Sequence, residues 1–154
     1  MDLPPPVVVA RELAPVLAGL QWAIGGSVLL WKLGLEVAPR DLDIMTSSDR
    51  FDDVAARITQ QLGPGRPVAH PVYRSRQYRR FTSAISSVDL FAEVRIARSG
   101  SLVEWYFDPT SIHLDAGLPW MRASDWIDLY DLFGRPDRVA ALHTYLYGKS
   151  SRPA

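Results

Sequence analysis

The stretch from Ile24 to Thr46 reads IGGSVLLWKLGLEVAPRDLDIMT: a Gly-Gly-Ser turn, an apolar run, and then two aspartates, Asp41 and Asp43, on either side of Leu42. Residues two apart in a strand point to the same face, so the pattern predicts that Asp41 and Asp43 project together while Leu42 and Ile44 enter a core. Carboxylates held side by side repel each other and require a cation, and for an all-oxygen pair the simplest is Mg²⁺. Gly25, Gly26 and Ser27 offer backbone N–H groups and a hydroxyl at the start of a helix, where phosphate oxygens are favoured. A phosphate cradle and a metal pair thus fall on one stretch.

Upstream, Pro4 to Pro6 lead into a helix on which Val9, Leu13, Val16, Leu17 and Leu20 recur near helical spacing, with Pro15 set to kink or split it. Gln21 to Ile24 reads as a short buried strand. From Ser27 the run Val28, Leu29, Leu30, Trp31, Leu33, Leu35 is apolar almost all round, which predicts a central helix ending near Gly34. Downstream, Arg40 to Thr46 is a strand, and Ser47-Ser48-Asp49 caps a helix carrying Phe51, Val54, Ile58 and Leu62 on one face. Gly63-Pro64-Gly65 ends it. Val68 to Tyr73, Gln77 to Ile85, Ser87 to Ile96 and Leu102 to Phe107 read as β segments, antiparallel by expectation. Two helices follow, about Ser124 to Phe133 and Pro136 to Tyr147, on either side of Gly134-Arg135-Pro136. Met1 to Pro6 and Gly148 to Ala154 read as tails.

A chain of 154 residues is read as one domain, large enough to bury about 70% of its unfolded surface. With 17 basic and 17 acidic residues there is no global attraction to nucleic acid or membrane, and the absence of cysteine excludes disulfides, thiolate zinc sites and cysteine nucleophiles. That composition fits a reducing cytoplasm. MDLPPP lacks the basic flank of a signal peptide, and Leu13 to Trp31, although uncharged, is interrupted by Pro15, Gly19, Gln21, Gly25, Gly26 and Ser27. A buried core is expected there rather than a membrane span.

The order Gly-Gly-Ser, about a dozen residues of helix and turn, then Asp-x-Asp between apolar neighbours, resembles the signature of the DNA polymerase β-like nucleotidyltransferase superfamily, in particular its minimal bacterial members. Trp126 to Asp137, with its Gly134-Arg135-Pro136 turn, is similar to the closing helix pair of that family. The family often has lysines where this chain has Asp131 and Asp137. The likeness runs roughly from Gln21 to Tyr147 and is most specific in the glycine–aspartate block. It implies an α+β (α/β) fold, with a mixed sheet of about five strands flanked by helices, two Mg²⁺ ions, a nucleoside triphosphate donor and a third carboxylate from a neighbouring strand. Nucleotide binding then falls to Gly25, Gly26, Ser27 and Arg40, and metal binding to Asp41, Asp43 and the third acid. Small members of the family modify antibiotics or form half of toxin–antitoxin pairs that act on tRNA or a partner protein. A non-catalytic binding or antitoxin module is the alternative that the missing lysines suit.

The third carboxylate is expected at Asp89, embedded in Ser87-Val88-Asp89-Leu90-Phe91; Glu93, Glu104 and Asp108 are its rivals. Each candidate also has an ordinary reading: Asp41 and Asp43 as solvated strand residues, Ser27 as a helix N-cap, Gly25 and Gly26 as a tight reversal. From Arg66 to Arg98 seven arginines face only Asp89 and Glu93, while from Leu102 to Arg138 three arginines face seven acids. Arg74, Arg76, Arg79 and Arg80, crowded beside a strand, would hold triphosphate or an RNA acceptor, or else pair with the acidic last third within the molecule or across a homodimer. His70, His113 and His143 lack metal-ligand spacing. Trp120 and Trp126 are candidates to stack on a base.

Overall fold

The strand that carries the two aspartates, β2 (Asp41–Met45), lies inside a sheet and alternates as its sequence demands, with Leu42 and Ile44 fully buried and Asp41 exposed. The structure is a computed structural model that describes residues 2–68 and 75–148. The chain order is α1 (Pro5–Val16), β1 (Ala23–Gly25), α2 (Gly26–Lys32), β2, α3 (Phe51–Leu62), β3 (Tyr78–Thr82), β4 (Ser87–Phe91), β5 (Glu93–Arg98), β6 (Ser101–Tyr106), β7 (His113–Asp115), β8 (Leu118–Trp120), α4 (Ala123–Leu132) and α5 (Pro136–His143). Short helical turns at Ser48–Arg50, Pro109–Ser111 and Thr144–Gly148 complete it.

Six strands form a mixed sheet in the order β3-β4-β2-β1-β8-β7, and β5 pairs with β6 in a separate ribbon. β2 is antiparallel to β1 and parallel to β4, in a register that sets Leu42 beside Val88 and Ile44 beside Leu90. All four of these apolar side chains are completely buried. Helices α1 and α3 pack on each other, α1 also meets β2 and β8, and α3 meets β3; α2 lies against β1, β2 and α4. The amphipathic period of α3 is the reason for its placement: Phe51, Val54 and Ile58 are buried and the positions between them are mostly solvated.

Several expectations need correction. The proline entry is not a tail, because α1 starts at Pro5, where the fixed φ of proline suits the first helical turn. Pro15 falls in the last turn, so the helix ends at Val16 instead of bending. The segment Ser87 to Ile96 is two strands. At Ala92 the chain leaves the main sheet, with the Ala92 N–H donating to the Gln77 carbonyl at 3.0 Å, and β5 continues in the ribbon. Where these β segments pair with one another they do so antiparallel, β3 with β4 and β5 with β6, while β4 is also parallel to β2 on its other side. The hairpin of β7 and β8 went unread in the sequence; it closes through Ala116 and Gly117, both at positive φ (52° and 77°), the pair of left-handed residues that a two-residue hairpin requires. The strand expected at Val68 to Tyr73 lies, apart from Val68, outside the described residues, as do His70 and Arg74.

Among the described residues no helix is long and apolar enough to cross a membrane.

Candidate active site

Sheet register builds the site. Asp43 on β2 is the cross-strand partner of Asp89 on β4, and Asp89 is in turn the partner of Arg80 on β3. Register partners point to the same face, so three adjacent strands present Asp43, Asp89 and Arg80 side by side, with Asp41 one pleat along. This face opens on a cavity of about 650 Å³ lined by Ser27, Arg40, Asp41, Asp43, Asp89 and Arg80, with Trp126, Tyr130, Phe133, Arg135 and Arg138 from the closing helices.

Asp43 is the most strained of these groups. Burial raises its carboxyl pKa to about 8, the charges of Asp89 and Asp41 add to the rise, and Arg138 and Arg80 offset part of it. Room for this side chain comes from Gly26: a Cβ there would lie 1.9 Å from Asp43 Oδ2, and the residue sits at φ 61°. Gly25 is required for a different reason, because its Cβ would lie 2.1 Å from Trp126 Nε1. The two glycines therefore admit an aspartate and an indole to the same corner of the fold. Ser27 is not the N-cap; Gly25 occupies that position, and α2 has no side-chain cap, which leaves the Ser27 hydroxyl on the cavity wall.

Asp89 is buried and its carboxylate is engaged. Arg80 Nε donates to Oδ1 at 2.7 Å and Nη2 to Oδ2 at 3.0 Å, a fork that uses both oxygens. Nη2 also donates to the Tyr78 hydroxyl at 3.3 Å, and the Tyr78 ring stacks on Phe91 with centroids 4.3 Å apart. Burial, followed by the Asp89 charge, pushes the Tyr78 hydroxyl up to about 12. Removing one member of such a pair leaves the other charge uncompensated. Asp89→Asn is therefore expected to lower stability by about 1–3 kcal/mol, read as a lower urea midpoint at unchanged slope. A midpoint equal to that of the wild type would show that the pair contributes nothing to the fold.

The rival acids are occupied elsewhere. Glu93 accepts the Arg76 backbone N–H at 2.9 Å, Glu104 accepts Arg95 Nε at 2.8 Å, and Asp108 caps the Pro109–Ser111 turn through Thr110 N–H at 2.9 Å. None of the three lines the cavity. Of the crowded arginines, Arg79 is exposed and, as the partner of Leu90, faces away from Arg80. Arg76 precedes β3 and is largely solvated. Trp126 is buried on the cavity wall, donating to Met121 Sδ at 3.2 Å, whereas Trp120 lies outside the cavity and donates to the Asp115 carbonyl at 3.1 Å.

Arg135 and Arg138 went unread as site residues. Arg138 Nη1 donates to the Tyr130 hydroxyl at 2.9 Å, and its guanidinium carbon lies 5.3 Å from that ring's centroid. The signal was present one residue beyond Asp137: the closing helices place cations at the cavity, at 135 and 138.

A divalent cation fits part of this face. Asp41 and Asp43 are hard oxygen donors on one strand face, and the burial and neighbouring carboxylates that disfavour the charge of Asp43 are what a divalent cation would offset. Asp89 fits less well, because both of its oxygens already accept from Arg80. Among the described residues no three acidic or imidazole side chains form a ready metal cage.

No known family model matches the sequence, and no curated protein matches it. Solved structures do. TM1012 of Thermotoga maritima, assigned provisionally as a nucleotidyltransferase, superposes with a TM-score of 0.68 at 18% identity, covering 96% of each chain. ANT(2")-Ia in complex with adenylyl-2"-tobramycin superposes with a TM-score of 0.55 at 15% identity, covering 95% of this chain and 91% of the other. The chain thus has the minimal nucleotidyltransferase fold, a mixed α+β architecture.

Proposed function

We propose that the chain transfers a nucleoside monophosphate from a nucleoside triphosphate to a hydroxyl acceptor, in a Mg²⁺-dependent reaction in the cytoplasm. One observation carries this reading: Asp41 and Asp43 share a face of the sheet with Asp89 and open on a cavity that also holds Arg40, Arg135 and Arg138. Anionic and cationic groups converging in one cleft are what a magnesium–triphosphate substrate needs. In this reading Asp41 and Asp43 hold Mg²⁺, which when bound supplies Lewis-acid activation of the acceptor hydroxyl and stabilises the pyrophosphate leaving group. Ser27 and the backbone at Gly26 contact phosphate oxygens, and Arg40, Arg135 and Arg138 offset the remaining triphosphate charge. Asp89, held flat by Arg80, completes the acidic face. The ring of Trp126, Tyr130 or Tyr78 offers a wall for the base.

For the acceptor, the adenylyl-2"-tobramycin bound in ANT(2")-Ia supports a small hydroxylated molecule, as in an antibiotic-modifying role. The exposed Arg76 and Arg79 suit tRNA or a partner protein, as in a toxin–antitoxin pair. If the acceptor is RNA, neutralising both arginines flattens the salt dependence of its binding; an unchanged slope removes them from the acceptor surface. The fork of Arg80 on Asp89 favours a second reading, a non-catalytic nucleotide-binding or antitoxin module. Calorimetric titration with a non-hydrolysable triphosphate separates the two. Binding that requires Mg²⁺ is expected, binding indifferent to Mg²⁺ marks the module, and no binding in either condition overturns both.

A further inference from the structure

Arg80 is fixed from several directions. It is the ladder partner of Asp89, and its backbone exchanges two hydrogen bonds with Arg66, at 2.9 and 3.0 Å, on the other edge of β3. Its guanidinium forks both Asp89 oxygens and touches the Tyr78 hydroxyl, and Tyr78 is in turn stacked on Phe91. A guanidinium does not lose its proton, so this positive charge is permanent.

The acidic face carries three carboxylates, Asp41, Asp43 and Asp89. Arg80 is paired directly with Asp89, which leaves Asp41 and Asp43 as the two carboxylates for a divalent ion, while Arg40, Arg135 and Arg138 stand across the cavity for the triphosphate. A second divalent ion shared between Asp43 and Asp89 would lie against the guanidinium and would compete with it for oxygens it already occupies. We propose that Arg80 serves as the resident second cation of this site, so that the chain holds one divalent ion, on Asp41 and Asp43, in place of the pair that its fold leads one to expect. The inference rests on the nucleotidyl-transfer reading of the same cavity. It also assigns Arg80 to positioning Asp89, distinct from an acceptor contact.

The test counts ions. Mn²⁺ is titrated into the full chain mixed with an equal concentration of a fluorescent non-hydrolysable triphosphate, well above the dissociation constant, with free Mn²⁺ read by its paramagnetic resonance signal and nucleotide binding read in the same cuvette. One Mn²⁺ per bound nucleotide is expected for the wild type, and two for Arg80→Gln, in which the fork is gone and the third carboxylate is released. Two ions in the wild type, or one in both proteins, overturns the proposal. Should Arg80→Gln not fold, the wild-type count still decides. Nucleotide bound with two ions contradicts this inference alone, whereas no nucleotide bound at any Mn²⁺ concentration contradicts the transferase reading beneath it.

Discussion

Asp43→Asn is expected to abolish nucleotidyl transfer, by at least about 100–1,000-fold, while leaving the protein more stable than the wild type when no divalent ion is present. The loss of activity follows from removing one of two charges that hold the metal. The gain in stability follows from linkage. The Asp43 carboxyl is raised from 3.8 to about 8 in the fold, so between those values the folded state binds more protons than the unfolded chain, and wild-type stability falls as pH rises across that window. Asparagine is neutral in both states and escapes this penalty. The advantage of the variant therefore grows from about pH 4 to about pH 8 and then levels off. The full shift sets an upper bound of roughly 6 kcal/mol. Because Asp43 is only partly buried and opens on the cavity, the gain expected is on the order of 1–3 kcal/mol, or a rise in Tm of roughly 3–9 °C for a domain of this size. Saturating Mg²⁺ should erase it, because the ion stabilises only the wild-type carboxylate pair. Differential scanning calorimetry at three pH values, with and without Mg²⁺, measures all of this. A variant less stable than the wild type at pH 8 without metal would show that Asp43 supports the fold instead of straining it.

The adjacent glycines are expected to fail in different ways. Gly25→Ala drives a methyl into the buried Trp126 indole, whose nearest three atoms would lie 2.1, 2.4 and 2.5 Å from the new carbon. That ring is rigid and enclosed. Overpacking of this kind should cost about 2–4 kcal/mol and lower Tm by roughly 5–15 °C. Gly26→Ala meets chiefly the carboxylate of Asp43, with Oδ2 at 1.9 Å and Cγ at 2.9 Å, and this group can swing aside. Its stability cost is then mainly the φ of 61°, about 1–2 kcal/mol, but the swing takes Asp43 out of line with Asp41. Gly26→Ala should thus lose most metal-dependent triphosphate binding with a smaller fall in Tm than Gly25→Ala. If the ranking of the two melting temperatures is reversed, the close approaches at Trp126 and Asp43 have been misassigned.

These expectations depend on details that were unequally legible in the sequence. The alternation of Asp41, Leu42, Asp43 and Ile44 announces its two faces because a strand repeats every two residues, and the helical period of Phe51, Val54 and Ile58 is equally direct. The break at Ala92 leaves little trace because Ser87 to Ile96 contains no glycine or proline and the polar and apolar alternation is interrupted only by Phe91, between Leu90 and Ala92. Ala92 still bonds to Gln77 just before β3, and at Glu93 the chain changes partner to Tyr106 of β6, a switch that no local pattern encodes. The parallel pairing of β2 with β4 is likewise a matter of topology. β8 was missed because Leu118-Pro119-Trp120 is only three residues long and contains a proline. Within the site, Asp41, Asp43 and Asp89 stood out by their apolar neighbours, but the partner of Asp89 did not. Arg80 sits in a run of arginines that looks like a basic surface, and only the register of β3 with β4 sets it apart from Arg79. Arg138 reaches the cavity because α5 folds back on α4, a packing event between helices.

The most direct test of the account is radiolabelled nucleotide transfer. Wild type and Asp43→Asn are incubated with each nucleoside triphosphate in turn, with and without Mg²⁺, and offered total tRNA, cell-extract protein and small hydroxylated antibiotics. The account predicts that the wild type labels one of these pools only when Mg²⁺ is present and that Asp43→Asn labels none. No label in any pool, together with a melting temperature that Mg²⁺ and triphosphate fail to raise, would contradict it.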